Sequence, residues 1–203
     1  MTSVLQHLNY EISRVVDSAR CSLVRIGNGR HGAGAGTIWH PGGLVITNAH
    51  VVGGGAVHVG LPDGRVLAAR LLALDAENDL AALRVEASGL PTVALGDSRS
   101  LRPGQWVLAL GHPWGVTGAL TTGIVIGVGA AWPEMLPSRH EWVLVNLHLR
   151  PGHSGGPLMD ADGRLVGINT IMVGPDVGGA VPVHVVKAFL RRALGPAASM
   201  SVN

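Results

Sequence analysis

The sequence predicts an all-β protein built from two sets of about six short strands, with a short helix at each end. Three observations predict it. Short apolar runs and alternations recur along most of the chain, separated by Gly, Pro and Asp, with no long helical period between them. Glycine is abundant, at 30 of 203 residues, while aromatics make up 3%, so tight turns are many and the core must come from Val, Leu, Ile and Ala. Hydrophobic residues reach 47% against 14% charged, enough for a sizeable core, and the single Cys21 excludes an intramolecular disulfide.

In chain order, Val4, Leu5, Leu8, Ile12, Val15, Val16 and Ala19 fall at helical spacing, which predicts an amphipathic N-terminal helix over residues 1–20. Strand texture follows at 21–26, 36–39, 43–47, 56–61, 65–74 and 79–85, with Pro62-Asp63-Gly64 as a turn. Six strands this close together, without intervening helices, fit a small closed antiparallel barrel. The polar stretch 96–104 reads as a connection, placing a first unit at 21–96 and a second at 97–203. Strand texture resumes at 105–111, 118–128, 142–148, 157–159, 164–173 and 179–181. A closing helix at about 183–194 ends at Gly195-Pro196, residues that stop helices.

Chemistry concentrates in Pro151-Gly152-His153-Ser154-Gly155-Gly156-Pro157-Leu158. A serine between glycines can hold its Oγ exposed on a tight turn while nearby backbone N–H groups converge on a bound carbonyl oxygen, which describes an oxyanion hole. Such a serine needs a base, and the base needs an orienting group. His50, in Thr47-Asn48-Ala49-His50-Val51-Val52, and Asp79, in Asp79-Leu80-Ala81-Ala82-Leu83, supply both, in the order His, Asp, Ser. These three blocks resemble those of trypsin-like serine proteases, and specifically the HtrA/Deg branch; His112-Pro113-Trp114-Gly115 and Gly179-Ala180-Val181-Pro182 add to the likeness.

The resemblance implies two six-stranded antiparallel β-barrels of the chymotrypsin/trypsin-like fold facing each other, His50 and Asp79 in the first and Ser154 in the second. It implies an ATP-independent serine endopeptidase acting on unfolded or extended polypeptides, with no cofactor. Backbone N–H groups of Gly152, His153 and Ser154 would form the oxyanion hole, Gly152 and Ser154 being the main donors. The family usually has Asn where this chain has His153; a solvent-exposed filler is expected there, with a pH-sensitive loop as the alternative. Thr170 falls where the class has a hydroxyl on the triad carboxylate, and an ordinary β-branched strand residue is an equal reading. Leu149, Thr170, Ile171 and Met172 are the expected substrate-binding residues. With no acid evident at the pocket base, the resemblance implies cleavage after small to medium aliphatic residues. The direction of nearby His148 stays open, and segments 132–139 and 173–179 match regulatory loops.

Other readings are weaker. The ten histidines are scattered, at His31, His40, His58, His112, His140 and His184 among others, without a metal-binding motif, so no metal is expected. Gly32, Gly34 and Gly36 lack the βαβ context of a dinucleotide loop. Gly152-His153-Ser154-Gly155-Gly156 satisfies GxSxG, but Gly-Gly-Pro and strand-like residues follow Ser154 where that elbow requires a helix, the only later histidine is His184, and the upstream chain lacks alternating helices. A net charge of +2 without a basic run argues against nucleic acid, and no apolar run approaches the ~18 residues of a membrane span. A protease-fold binding module or chaperone with a resting oxyanion loop is the alternative function.

Family members are commonly trimers, which makes the N-terminal helix around Leu8 to Val16 the expected contact between copies. They usually carry PDZ domains after the closing helix; nine residues follow Leu194 here, so a protease-only chain or a piece of a longer one is expected. Glu11, Arg14 and Asp17 interrupt any signal peptide, which points to the cytoplasm if Met1 is native and to an extracytoplasmic site if a leader was removed.

Overall fold

A computed structural model describes residues 3–27, 34–53, 55–130 and 140–196, position 171 by its backbone alone. The expected loop at 132–139 lies outside the described residues. Helix α1 (Val4–Arg20) opens with a capping box: Ser3 Oγ accepts the Gln6 N–H at 3.2 Å, and Gln6 Oε1 accepts the Ser3 N–H at 2.9 Å. Its stripe of Ile12, Val15, Val16 and Ala19 packs on the body, so Ile12, Val15 and Val16 of the expected contact between copies are already used internally. Val4, Leu5 and Leu8 remain exposed.

Strands β1 (Leu23–Gly27), β2 (Gly34–His40), β3 (Leu44–Thr47), β4 (Val57–Gly60), β5 (Val66–Asp75) and β6 (Leu80–Val85) close into one barrel, in the order β1-β2-β3-β6-β5-β4. Strands β7 (Trp106–Gly111), β8 (Ala119–Gly129), β9 (Trp142–Asn146), β10 (Pro157–Asp160), β11 (Leu165–Gly174) and β12 (Val177–Pro182) close into a second, in the order β10-β11-β12-β9-β8-β7. All pairings within the barrels are antiparallel, and α2 (Val183–Leu194) follows β12 directly. The first strand starts at Leu23 rather than at Cys21, because the Cys21 and Ser22 N–H groups are still bonded to the end of α1, at Ser18 and Ala19. The expected loop at 173–179 contracts to a hairpin turn at Pro175-Asp176, where Asp176 takes φ +58°.

Alternation along the strands sorts side chains into three cores. Val24, Ile26, Val45, Val59, Leu83 and Val85 fill the first barrel, and Val107, Ala109, Val125, Val143, Val145 and Val166 the second. Leu44, Ile46 and Leu80 point out of the first barrel and meet Leu108, Leu110, Met159 and Ile168 from the outside of the second, joined by Trp39 and by Phe189 and Leu190 of α2. These strands read as continuous apolar runs because both of their faces are buried. At roughly 1.5–3 kcal/mol for each large aliphatic side chain buried, this third cluster clamps the barrels against each other. The loops that carry His50, Asp79 and Ser154 meet along that seam.

Candidate active site

His50 sits in a 3-10 turn (Ala49–Val52) directly after β3. Its ring Nδ1 lies 2.8 Å from Asp79 Oδ2, and its backbone N–H donates to Asp79 Oδ1 at 3.0 Å. Asp79 ends the β5–β6 turn with φ +52°, a left-handed conformation that Asp tolerates better than most residues and that turns its carboxylate toward His50. The buried Asn48 ties the two loops together by donating its side-chain N–H to the Asp79 carbonyl at 2.9 Å. A β-bulge between Asn169 and Ile171 re-aims Thr170, whose hydroxyl donates to Asp79 Oδ2. Burial alone raises the Asp79 carboxyl. The His50 ring, the Thr170 hydroxyl and the His50 amide, all donating to it, outweigh burial and hold it below the usual carboxylate value.

Ser154 is held from both barrels. Its carbonyl accepts the Ala35 N–H of β2 at 2.8 Å, and the Gly155 carbonyl accepts the Thr37 hydroxyl at 3.2 Å. From the second barrel, Gly155 N–H donates to the Asn169 carbonyl at 2.8 Å, and Asn169 N–H to the Gly156 carbonyl at 2.9 Å. Gly155 has φ +85°, and a Cβ there would run into the Ala35 carbonyl and the Thr47 hydroxyl. Gly155→Ala combines left-handed strain with a backbone collision. Its expected cost is at least about 3 kcal/mol of stability, read as a lowered denaturation midpoint. An unchanged midpoint would mean that the loop is looser than this packing requires.

Gly152 takes φ +104° and packs on His112 and Pro113, and the His112 N–H donates to the Gly152 carbonyl at 2.8 Å. Among the described residues, the Gly152 and Ser154 N–H groups donate to no acceptor. The expected donor set needs one correction. His153 N–H is engaged with the Arg150 carbonyl at 2.9 Å, in the tight turn that shapes the loop, and so drops out.

The expected exposure of His153 is also overturned: the residue is 3% exposed. Its Nδ1 faces the Arg150 backbone, 3.1 Å from the N and 3.2 Å from the O, while Nε2 has no partner among the described residues. His112, likewise buried, accepts the Gly118 N–H at Nδ1. Burial pushes both imidazoles below their ordinary value. The Arg150 carbonyl partly offsets this at His153, and the Val24 carbonyl does so at His112 without making a full hydrogen bond.

The pH dependence follows from these directions. In the unfolded chain both rings regain the ordinary 6.5 and take up protons first as pH falls. Their contribution to stability is therefore complete above that value and lost as pH drops from it toward the lowered folded values. Asp79 acts lower: its contribution is present above the unfolded carboxylate pKa and is lost as pH falls through the depressed folded one. Thermal midpoints measured from pH 8 to pH 5 should fall on the acid side, and His153→Asn should flatten part of that fall; parallel curves would refute the assignment to His153.

Of the expected substrate-binding residues, Leu149 and Met172 come together: the Leu149 N–H lies 3.2 Å from Met172 Sδ, and both belong to the second-barrel core cluster. Thr170 is committed to Asp79, and its carbonyl accepts the Ser154 hydroxyl at 2.9 Å. His148 turns to Asp176, 3.1 Å away on the β11–β12 turn. Sequence reasoning missed Asn48, Asn169 and the backbone of Ala35. Asn is depleted in strands, so the buried Asn169 inside β11 carried a signal; a backbone N–H of Ala35 carries none.

A family model described as "Trypsin-like peptidase domain" matches residues 34–168, a span that includes His50, Asp79 and Ser154. The chain is 39% identical over 165 residues to "Serine protease HTRA2, mitochondrial" of Drosophila pseudoobscura pseudoobscura, covering 79% of this chain and 39% of that protein. It is 43% identical over 142 residues to "Probable periplasmic serine endoprotease DegP-like" of Marinomonas sp., covering 70% of this chain and 30% of that protein. A solved structure of HtrA-type protease AlgW with tripeptide superposes with a TM-score of 0.78 at 32% identity, over 85% of this chain and 60% of that one. A variant of the same protease superposes with a TM-score of 0.82 at 30% identity, over 88% of this chain and 62% of that one. The chain thus spans 39% and 30% of the length of these two curated relatives. Two closed barrels joined along one seam, His50 bonded to Asp79 on one side of it and Ser154 cradled from both, coincide with this match: the chain belongs to the trypsin-like peptidase family as a serine protease domain of the HtrA/Deg type.

Proposed function

We propose that this chain is a serine endopeptidase that cleaves unfolded or extended polypeptides after small to medium aliphatic residues, through an acyl-enzyme. The observation that carries the reading is the pairing of His50 with both carboxylate oxygens of Asp79, beside a serine loop with two uncommitted amides. In the attack, Ser154 Oγ forms a bond to the peptide carbonyl carbon and gives its proton to His50 Nε2. The carbonyl oxygen becomes an oxyanion, received by the Gly152 and Ser154 N–H groups. His50 then protonates the leaving amine, and water repeats the sequence on the ester to release the acid. Asp79 keeps the imidazole proton on Nδ1 and stabilises the imidazolium.

In the resting arrangement the Ser154 hydroxyl is bonded to the Thr170 carbonyl and not to His50. An extended substrate that pairs with β11 and takes the Thr170 carbonyl would release the hydroxyl toward the base. That resting bond also favours the second reading, a binding module whose nucleophile stays parked. A fluorophosphonate probe separates the two: labelling of the folded protein that is lost in Ser154→Ala supports the endopeptidase, and absence of labelling supports the binding module. Mass spectrometry of fragments from an unfolded substrate would test the aliphatic preference. For the N-terminal helix we propose a contact between copies through Val4, Leu5 and Leu8; Leu5→Glu together with Leu8→Glu should shift the sedimentation coefficient to that of a monomer.

A further inference from the structure

A cavity of ≈ 580 Å³ is walled in part by His112, Thr117 and Gly118 of the 112–118 loop, and no residue of the serine turn lines it. It lies between α1, β1, the β4–β5 turn and that loop, with Arg20, Arg25, Leu23, Leu61, Pro62 and His112 among its walls. Arg20 and Arg25 both line it, and among the described residues no Asp or Glu does. Both are held in place by the same loop: Arg20 Nε donates to the Gly118 carbonyl at 3.0 Å, and one terminal nitrogen of Arg25 donates to the Gly115 carbonyl and the Thr117 hydroxyl, each at 3.2 Å. Of the neighbouring acids, Asp17 reaches only one terminal nitrogen of Arg20, at 3.4 Å, and Asp63 is bonded to Arg65 at 2.8 Å. The remaining guanidinium N–H groups have no acceptor among the described residues, and beside them Leu23 and Leu61 form an apolar floor.

We infer that this cavity binds a carboxylate carried on an apolar body, the anion on Arg20 and Arg25 and the apolar part against Leu23, Leu61 and Pro62. Guanidinium groups held by hydrogen bonds suit a carboxylate, the volume is that of a small-molecule site, and an anion without an apolar part would leave the floor unused. The free acid and the C-terminal residue of a peptide share this chemistry. The site is separate from the serine turn, but the wall it shares with it is the segment whose His112 N–H holds the Gly152 carbonyl.

Calorimetric titration of the whole chain tests the site without reference to proteolysis. Octanoate is compared with octanamide, and a short peptide ending in a leucine carboxylate with its C-terminal amide, each against wild type, Arg25→Gln and Val66→Glu. Val66 is exposed at the rim, so Val66→Glu adds a repelling charge without disturbing the core. The expected result is saturable binding of at least one carboxylate, about tenfold weaker for its amide and about tenfold weaker in each variant. The tighter of the two carboxylates identifies the free acid or the chain terminus as the natural form. Equal binding of acid and amide, or binding untouched by both variants, would overturn the site; a peptide that binds equally well in both variants is occupying the serine cleft instead.

Discussion

Ser154→Ala is expected to reduce kcat on an unfolded polypeptide by about 10⁶-fold while leaving the folded structure in place, the loss seen when the nucleophile of a coupled triad is removed. The structure explains why the fold should survive. Ser154 is anchored by its carbonyl to Ala35, and Gly155 by its amide to Asn169, so none of the loop's backbone bonds depends on the hydroxyl. What disappears with Oγ is the single bond to the Thr170 carbonyl and the atom that attacks. Active-site titration and circular dichroism on the same preparation check both halves. Residual activity within about tenfold of wild type would mean that another group is the nucleophile.

Asp79→Asn is expected to lower kcat by about 10⁴-fold, through the wrong tautomer rather than through lost structure. Both carboxylate oxygens accept here, one from the His50 amide and one from the ring Nδ1–H. A carboxamide has one acceptor. If its oxygen keeps the fixed backbone N–H, its NH2 faces Nδ1, and the imidazole must carry its proton on Nε2, where it cannot take one from serine. The Thr170 hydroxyl can reverse and accept from the same NH2, which traps the wrong state. The variant should therefore recover activity only at high pH, if at all; a pH profile parallel to wild type would reject the tautomer argument. By contrast, Thr170→Val removes one donor and leaves the two His50 bonds, so about a tenfold loss is expected, with the carboxylate titrating closer to its ordinary value. Full wild-type kinetics in Thr170→Val would return Thr170 to an ordinary strand residue.

Much of this was legible from the residues. Alternation and turn residues marked twelve strands to within a few positions, because a half-buried strand writes its period directly into the chain. The His50, Asp79 and Ser154 blocks stood out as candidates for a related reason: the proposed triad needs particular side chains in particular local settings, and those settings are short. His153 was misjudged because burial depends on what lies across the loop, here Gly111 and His112, some forty residues earlier in the chain. Its use as an oxyanion donor was misjudged because the direction of one N–H depends on the turn made by Arg150, which composition does not specify.

By itself, then, the sequence determined the element types, the absence of an internal disulfide, and the order of His50, Asp79 and Ser154 along the chain. These are matters of local period and chemical type. Only the tertiary structure decided that Ala35 and Thr37 of one barrel hold the serine loop of the other, that the Ser154 hydroxyl rests on Thr170, and that the 112–118 loop holds Arg20 and Arg25 beside one cavity. Each of these joins segments about a hundred residues apart or sets the rotation of a single bond, and such choices arise from the packing of the whole molecule, which no local pattern records.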